Sequence, residues 1–115
     1  MHEVSLVEAL FDQVDGAIAP HAPGDVRAIT LRVGALAGVE VALLRTAFDG
    51  CRGLRGYTAA ALTVVDEAAR WRCGACGAPV DEARGLRCEG CGGAPTLAGG
   101  DALVLERIEL EVPDV

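Results

Sequence analysis

The chain contains no lysine: all ten of its basic residues are arginine, and seventeen acids outnumber them for a formal net charge of −7. A surface of that balance repels polyanions, which argues against a nucleic-acid partner. Aromatic residues are also scarce, at 3% of the chain, so any core must be built mainly from aliphatic side chains. No apolar run approaches the ~20 residues of a membrane-spanning helix, which argues against a membrane partner. The beginning is equally unsuited to secretion, because His2, Glu3, Glu8 and Asp12 interrupt the apolar stretch that a signal peptide needs. A cytoplasmic location is therefore expected, where thiols stay reduced and paired C-x-x-C motifs hold metal more often than they form structural disulfides. Also missing are a Ser/His/Asp set, a phosphate-cradling glycine loop and a carboxylate pair that stands out from the scattered acids. Nothing in the chain points to an enzyme.

What is present fits one modest domain carrying an inserted module, since 115 residues leave little room for two large cores. Ser5-Leu6-Val7-Glu8 has the form of a capping box and predicts a helix beginning near Ser5. Val7, Leu10, Phe11, Val14 and Ile18 then recur at three- and four-residue steps, opposite Asp12, Gln13 and Asp15, until Pro20, Pro23 and Gly24 end the pattern. From Val26 to Val33 the period changes to two, with Ile29, Leu31 and Val33 on one face of a predicted strand. Leu43, Leu44, Ala47, Phe48 and Cys51 return to helical spacing, and Gly53 and Gly56 stop them. Two further strands are expected, one through Ala60, Leu62 and Val64 and one from Ala102 to Val112, where Ile108, Leu110 and Val112 alternate with Arg107, Glu109 and Glu111. Residues 68–100 differ in kind, being rich in Gly, Arg and Cys. The expected fold is α+β, with two helices packed on a three-stranded antiparallel sheet formed by residues 1–67 and 101–115, and residues 68–100 inserted as a zinc-ribbon domain.

The insert carries two near-copies of one knuckle, Cys73-Gly74-Ala75-Cys76-Gly77 and Cys88-Glu89-Gly90-Cys91-Gly92. Each delivers two thiolates to a tetrahedral corner, and the glycine after each second cysteine permits the tight turn that aims amides at the sulfurs. Four sulfurs leave no position open for substrate, so a zinc ion held by Cys73, Cys76, Cys88 and Cys91 would build structure and do no chemistry. A redox dithiol and paired disulfides are the competing readings of these cysteines, and iron is the rival metal. Cys51 reads as a small core hydrophobe and His21 as a solvated loop residue.

A second constellation stands at the start of the chain. The bulk of His2 should preserve Met1, leaving the Met1 amine beside the His2 amide and imidazole, three nitrogens that chelate in five- and six-membered rings. Tetragonal nitrogen sites suit Ni(II) or Cu(II), and the order of divalent affinities favours copper at least equally. Glu3, water or a partner would complete such a site; the plain alternative is a solvated chain end.

Taken together, Met1-His2-Glu3-Val4-Ser5, the central Val33-Gly34-Ala35-Leu36-Ala37-Gly38-Val39-Glu40, the Ala47-Phe48 helix, the two knuckles and the terminal Arg107-Ile108-Glu109 strand resemble the HypA/HybF family of hydrogenase maturation nickel chaperones over nearly the whole chain. The resemblance implies a nickel site at Met1, His2 and Glu3, zinc on the four knuckle cysteines, and delivery of nickel to a [NiFe]-hydrogenase large-subunit precursor together with a HypB-like maturation GTPase. It also implies an acidic residue near the nickel end at Glu40, for which a solvated carboxylate at a helix start is an equal reading. A homodimer is left open. The absence of lysine and the short, glycine-rich zinc loop depart from the family pattern and bear on partner recognition rather than on the ligands. A zinc-ribbon binding module without nickel and a thiol oxidoreductase are the rival functions, and metal content separates all three.

Overall fold

The computed structural model describes residues 2–112, in the order α1 (His2–Ile18), β1 (Val26–Gly34), α2 (Val41–Cys51), β2 (Ala61–Glu67), β3 (Arg70–Cys73), β4 (Pro79–Val80), β5 (Pro95–Gly99) and β6 (Leu103–Leu110). Two compact units result, one from Met1–Arg32, Val39–Val65 and Val104–Val115, the other from Val33–Gly38 and Asp66–Leu103. The fold is α+β, with one three-stranded sheet in the order β2-β1-β6 and a second in the order β4-β3-β5.

Within the first sheet the strand directions are mixed. Gly34 N–H donates to Ala102 O at one end of β1 and Glu111 N–H to Asp25 O at the other, so β6 runs antiparallel to β1. Ala35 N–H donates to Glu67 O at 2.8 Å, so the C-terminal ends of β1 and β2 lie together and these neighbours run parallel. The wholly antiparallel arrangement suggested by the sequence is refined accordingly. Parallel neighbours need a long crossover, and the connection that contains α2 supplies it.

In the first unit the periodic residues behave as their spacing dictates. Val7, Leu10, Phe11, Val14 and Ile18 of α1 are buried, as are Leu44 and Phe48 of α2 and Ile29 and Leu31 of β1. Helix α1 begins at His2, three residues before the capping-box position, so Ser5 and Glu8 lie inside it. Glu3 places negative charge at the positive helix end, and Val4 carries the apolar stripe one step further back, so both favour the longer helix. Leu43 is 54% exposed because it stands one residue, about 100° of helix turn, from the Leu44–Phe48 line. In β6 the alternation slips between Glu106 and Arg107, both exposed; Leu103, Leu105 and Ile108 are half-buried while Leu110 and Val112 face solvent.

With two Phe, one Tyr and one Trp in the chain, the aromatic residues are concentrated. Phe11 stacks on Phe48, with centroids 5.3 Å apart, and on Tyr57, 4.8 Å away. Tyr57, in the glycine-rich connection after α2, is fully buried; helical spacing gave no sign of it. Its hydroxyl donates to the Asp15 carboxylate. Arg55 lies over the Phe11 ring and pairs with Asp12 at 2.7 Å and Asp15 at 2.9 Å, so one guanidinium gathers the polar side of α1. The Tyr57 hydroxyl and then Arg55 hold the Asp15 carboxyl below its ordinary value of 3.8, while burial and the Asp15 charge push the Tyr57 phenol up.

The second unit is small. β3 pairs antiparallel with β4, Trp71 opposite Val80, and with β5, Trp71 opposite Leu97. Its core is Cys73, Val80 and Cys88, with Trp71, Ala78 and Leu86 packed against them. The segment after β1 is sewn into this unit, with Gly34, Ala35 and Leu36 donating to the carbonyls of Ala102, Glu67 and Gly100. Gly34 comes so close that a Cβ there would stand 2.2 Å from Gly100 O, which only glycine permits.

Tyr57→Phe keeps the stack and removes the hydroxyl. The expected cost is about 1 kcal/mol in urea denaturation at pH 7, below the usual range for a bond to a charged group because Asp15 remains partly solvated and paired with Arg55. Asp15 has a lowered folded pKa, so its contribution is complete above its ordinary 3.8 and is lost as pH falls through the folded value. The gap between wild type and variant should therefore narrow below about pH 4; a gap that is constant down to pH 2 would show that the hydroxyl's contribution does not depend on the Asp15 charge.

Candidate metal centre

The two knuckles are built by the same backbone bonds. Cys73 N–H donates to Ala78 O and Gly77 N–H returns to Cys73 O; in the second copy Cys88 N–H donates to Gly93 O and Gly92 N–H returns to Cys88 O. The returning glycines take φ of +76° and +72°, a conformation that a side chain would strain. β3 delivers the first cysteine of the first knuckle, and the turn after it delivers Cys76.

These turns bring the Sγ atoms of Cys73, Cys76, Cys88 and Cys91 within 4.8 Å of one another. The pairing crosses between knuckles, with Cys73 to Cys91 at 3.3 Å and Cys76 to Cys88 at 3.6 Å, and all four thiols are free. Sulfurs bound tetrahedrally at ~2.3 Å from one zinc stand ~3.8 Å apart, so the set needs little expansion to enclose such an ion. Cys73 and Cys88 are buried and Cys76 and Cys91 exposed, which gives the cluster an inner and an outer pair. Among the described residues no other group of three or more His, Cys, Asp or Glu side chains converges in this way.

The electrostatics favour a cation at the centre. The amides of Cys76 and Ala75, each 3.4 Å from Cys73 Sγ, pull that thiol down to about 6, with help from Cys91. The amides of Cys91 and Gly90 lower Cys88 in the same way. Cys91 is pushed up to about 12, chiefly by the sulfur of Cys73, even though the Gly93 amide opposes the shift. Two sulfurs are thus prepared as thiolates by backbone dipoles, and a neighbour resists further negative charge. A bound dication removes that conflict.

Cys51 is half-buried at the end of α2 and stands outside the group. His21 is exposed in the turn after α1. Of the residues read as a nickel site, Met1 and the His2 side chain lie outside what is described; the His2 backbone opens α1. Glu3 is half-buried and lines a small cleft of about 130 Å³ with Val4 of the same helix and Leu43, Thr46 and Ala47 of α2. Glu40 is the exposed N-cap of α2, and its side chain makes no capping bond. One residue of the cluster escaped the sequence reading: Gly93, where a Cβ would stand 2.7 Å from Cys73 Sγ. Its signal is the second glycine of Cys91-Gly92-Gly93, where the first knuckle reads Cys76-Gly77-Ala78.

Comparison with known proteins bears on the family and the fold. Residues 1–110 match the family model described as HypA, hydrogenase/urease nickel incorporation, metallochaperone. The hydrogenase maturation factor HypA of Rhodobacter capsulatus is 37% identical over 114 residues, covering 96% of this chain and 99% of that protein. That of Cereibacter sphaeroides strain KD131 is 36% identical over 115 residues, covering 96% and 100%. Among solved structures, a solution structure of HypA protein superposes with a TM-score of 0.78 at 22% identity, covering 96% of this chain and 97% of that one. The Ni metallochaperone HypA from Helicobacter pylori gives 0.71 at 20%, covering 94% and 96%. At such identities the structural likeness speaks for the fold.

Titrating the reduced chain with Co(II) should produce thiolate-to-cobalt charge-transfer and tetrahedral d–d bands that saturate at one equivalent. Cys51→Ser should leave both unchanged, and serine at any of the four knuckle cysteines should weaken the charge-transfer intensity. Saturation that required Cys51 would break the assignment of the four-sulfur set.

Proposed function

Because the chain belongs to the HypA family of hydrogenase/urease nickel-incorporation metallochaperones, we propose that it takes up Ni(II) at its N-terminus and hands it on for maturation of a [NiFe]-hydrogenase. A metallochaperone carries its metal as cargo and turns over no substrate, so the chain is not an enzyme. Nickel is held by the Met1 amine together with the amide and imidazole of His2, and Glu3 is available for the remaining position. The observation that carries this reading is that α1 begins at His2. The first amides of a helix have no acceptor within it, so the helix itself makes no claim on the His2 N–H. The positive end of the helix also favours loss of amide and amine protons, which the chelate requires. Glu40 serves as a nearby acidic support rather than a ligand.

In this reading Cys73, Cys76, Cys88 and Cys91 hold Zn(II) as a closed structural site. The donor set is the soft, all-sulfur type that zinc accepts without redox chemistry, and it keeps no position for substrate. When bound, the ion neutralises the thiolates and ties the two knuckles together, which supplies folding free energy that a core of three residues cannot. The partners are a HypB-like maturation GTPase and the hydrogenase large-subunit precursor, met in the cytoplasm; no helix among the described residues is long and apolar enough to cross a membrane.

The test uses the chain with its native N-terminus, counted for both metals. Wild type should bind one nickel and one zinc. His2→Ala, or a few residues added ahead of Met1, should abolish nickel binding while zinc and the helical signal persist. Affinity for nickel should strengthen from pH 6 to 8, as the imidazole (~6.5) and the amine (~7.7–8.0) shed the protons that compete with metal. Undiminished one-equivalent nickel binding by the His2→Ala chain would sink the chelate.

A further inference from the structure

The two knuckles share their hydrogen bonds but differ at one position. Ala78 and Gly93 occupy equivalent places, since each presents its carbonyl to the amide of its knuckle's first cysteine. A methyl group is therefore compatible with the knuckle itself, as Ala78 demonstrates by packing beside the cluster. At Gly93 the surroundings are different. A Cβ there would stand 2.7 Å from Cys73 Sγ and 3.2 Å from Cys91 Sγ, and 3.2 Å from the Cβ of Ala75. The first distance is shorter than real Cβ atoms show, and the obstacle is a sulfur fixed by its own knuckle, not the free end of a long side chain. The two sulfurs concerned form the shorter cross-pair, 3.3 Å against 3.6 Å for Cys76 and Cys88. A side chain at Gly93 would thus wedge against one edge of the sulfur tetrahedron.

We propose that Gly93 is a specificity-determining residue of the cysteine site: with no side chain there, nothing wedges Cys73 and Cys91 beyond the separation a zinc-sized ion requires, whereas an added side chain would hold them apart in favour of larger thiophilic dications. This inference rests on the reading of the four cysteines as a zinc site. It gives the glycine-rich second knuckle a purpose, because the short loop brings the backbone of Gly93 directly against the sulfurs, where any side chain competes with them for space. Gly90, in the same knuckle, offers the contrast: a Cβ there would meet Cys88 Sγ at 3.9 Å, an ordinary contact.

The experiment measures Zn(II) and Cd(II) affinities of the full chain by chelator competition. Gly93→Ala should weaken zinc at least tenfold and cadmium less, raising the cadmium-to-zinc preference at least threefold over wild type. Gly90→Ala should leave both affinities within twofold. Ala75→Gly in the Gly93→Ala background should restore part of the zinc affinity, since it frees the other side of the added methyl; this rescue separates crowding from a general loss of folding, and Trp71 emission and the helical signal report the state of each unit. An unchanged metal preference in Gly93→Ala, an equal loss in Gly90→Ala, or no rescue by Ala75→Gly would overturn the proposal while leaving the zinc reading intact. A wild-type chain that bound neither ion would overturn both.

Discussion

Four sulfur atoms gathered within 4.8 Å of one another pose a charge problem that governs the second unit. Backbone amides stabilise thiolate at Cys73 and Cys88, and the sulfur of Cys73 then makes ionisation of Cys91 harder. Without a central cation the cluster holds opposed tendencies. With one, the same amides become the supports that orient the ligands. Much else in the unit follows from this geometry: the positive-φ glycines Gly77 and Gly92, the bare Gly93, and a core so small that two of its three buried residues are themselves cysteines.

The first unit is organised by a different means. A chain poor in aromatics places three of them in one stack, Phe11 between Phe48 and Tyr57, and surrounds it with aliphatic residues from α1, β1 and α2. The polar side of that stack is closed by Arg55 and Tyr57 on the acids of α1. Helix α1 is thereby fixed along its middle, where Phe11, Val14 and Asp15 lie, while Glu3 and Val4 of its first turn are half-buried. That division suits a protein proposed to load and release a metal at its N-terminus, since the helix is anchored and its first amides have no acceptor within the helix.

The route between β1 and α2 shows how one short segment takes part in two elements of the chain's design. Gly34, Ala35 and Leu36 bond to Ala102, Glu67 and Gly100, the residues where the chain enters and leaves the cysteine-bearing insertion. A few residues later the same segment becomes the Glu40 cap of α2. Within that segment the close approach of Gly34 to Gly100 leaves no room for a side chain.

Much of the architecture was legible in the sequence because periodicity is a local consequence of burial. The stripe of α1, the alternation of Ile29, Leu31 and Val33, and the doubled C-x-x-C spacing each encode one element, and the family resemblance ordered them. Tertiary structure decided what depends on partners distant in the chain. Whether β1 and β2 run parallel is set by the crossover between them, and neither strand's own pattern contains it. Tyr57 is buried by stacking on Phe11, forty-six positions earlier by their residue numbers, although its own neighbours spell a loop. Leu110 and Val112 keep the alternation of the half-buried Ile108 yet face solvent, because burial of a strand's end depends on what packs over it and not on its own period. Gly93 is confined by a sulfur from the other knuckle, a distance that exists only once both turns have folded. The sequence by itself determined which cysteines could share a metal, because ligand chemistry belongs to side chains and their spacing; folding decided how closely they meet, because separation in space is set by packing between segments that the chain keeps far apart.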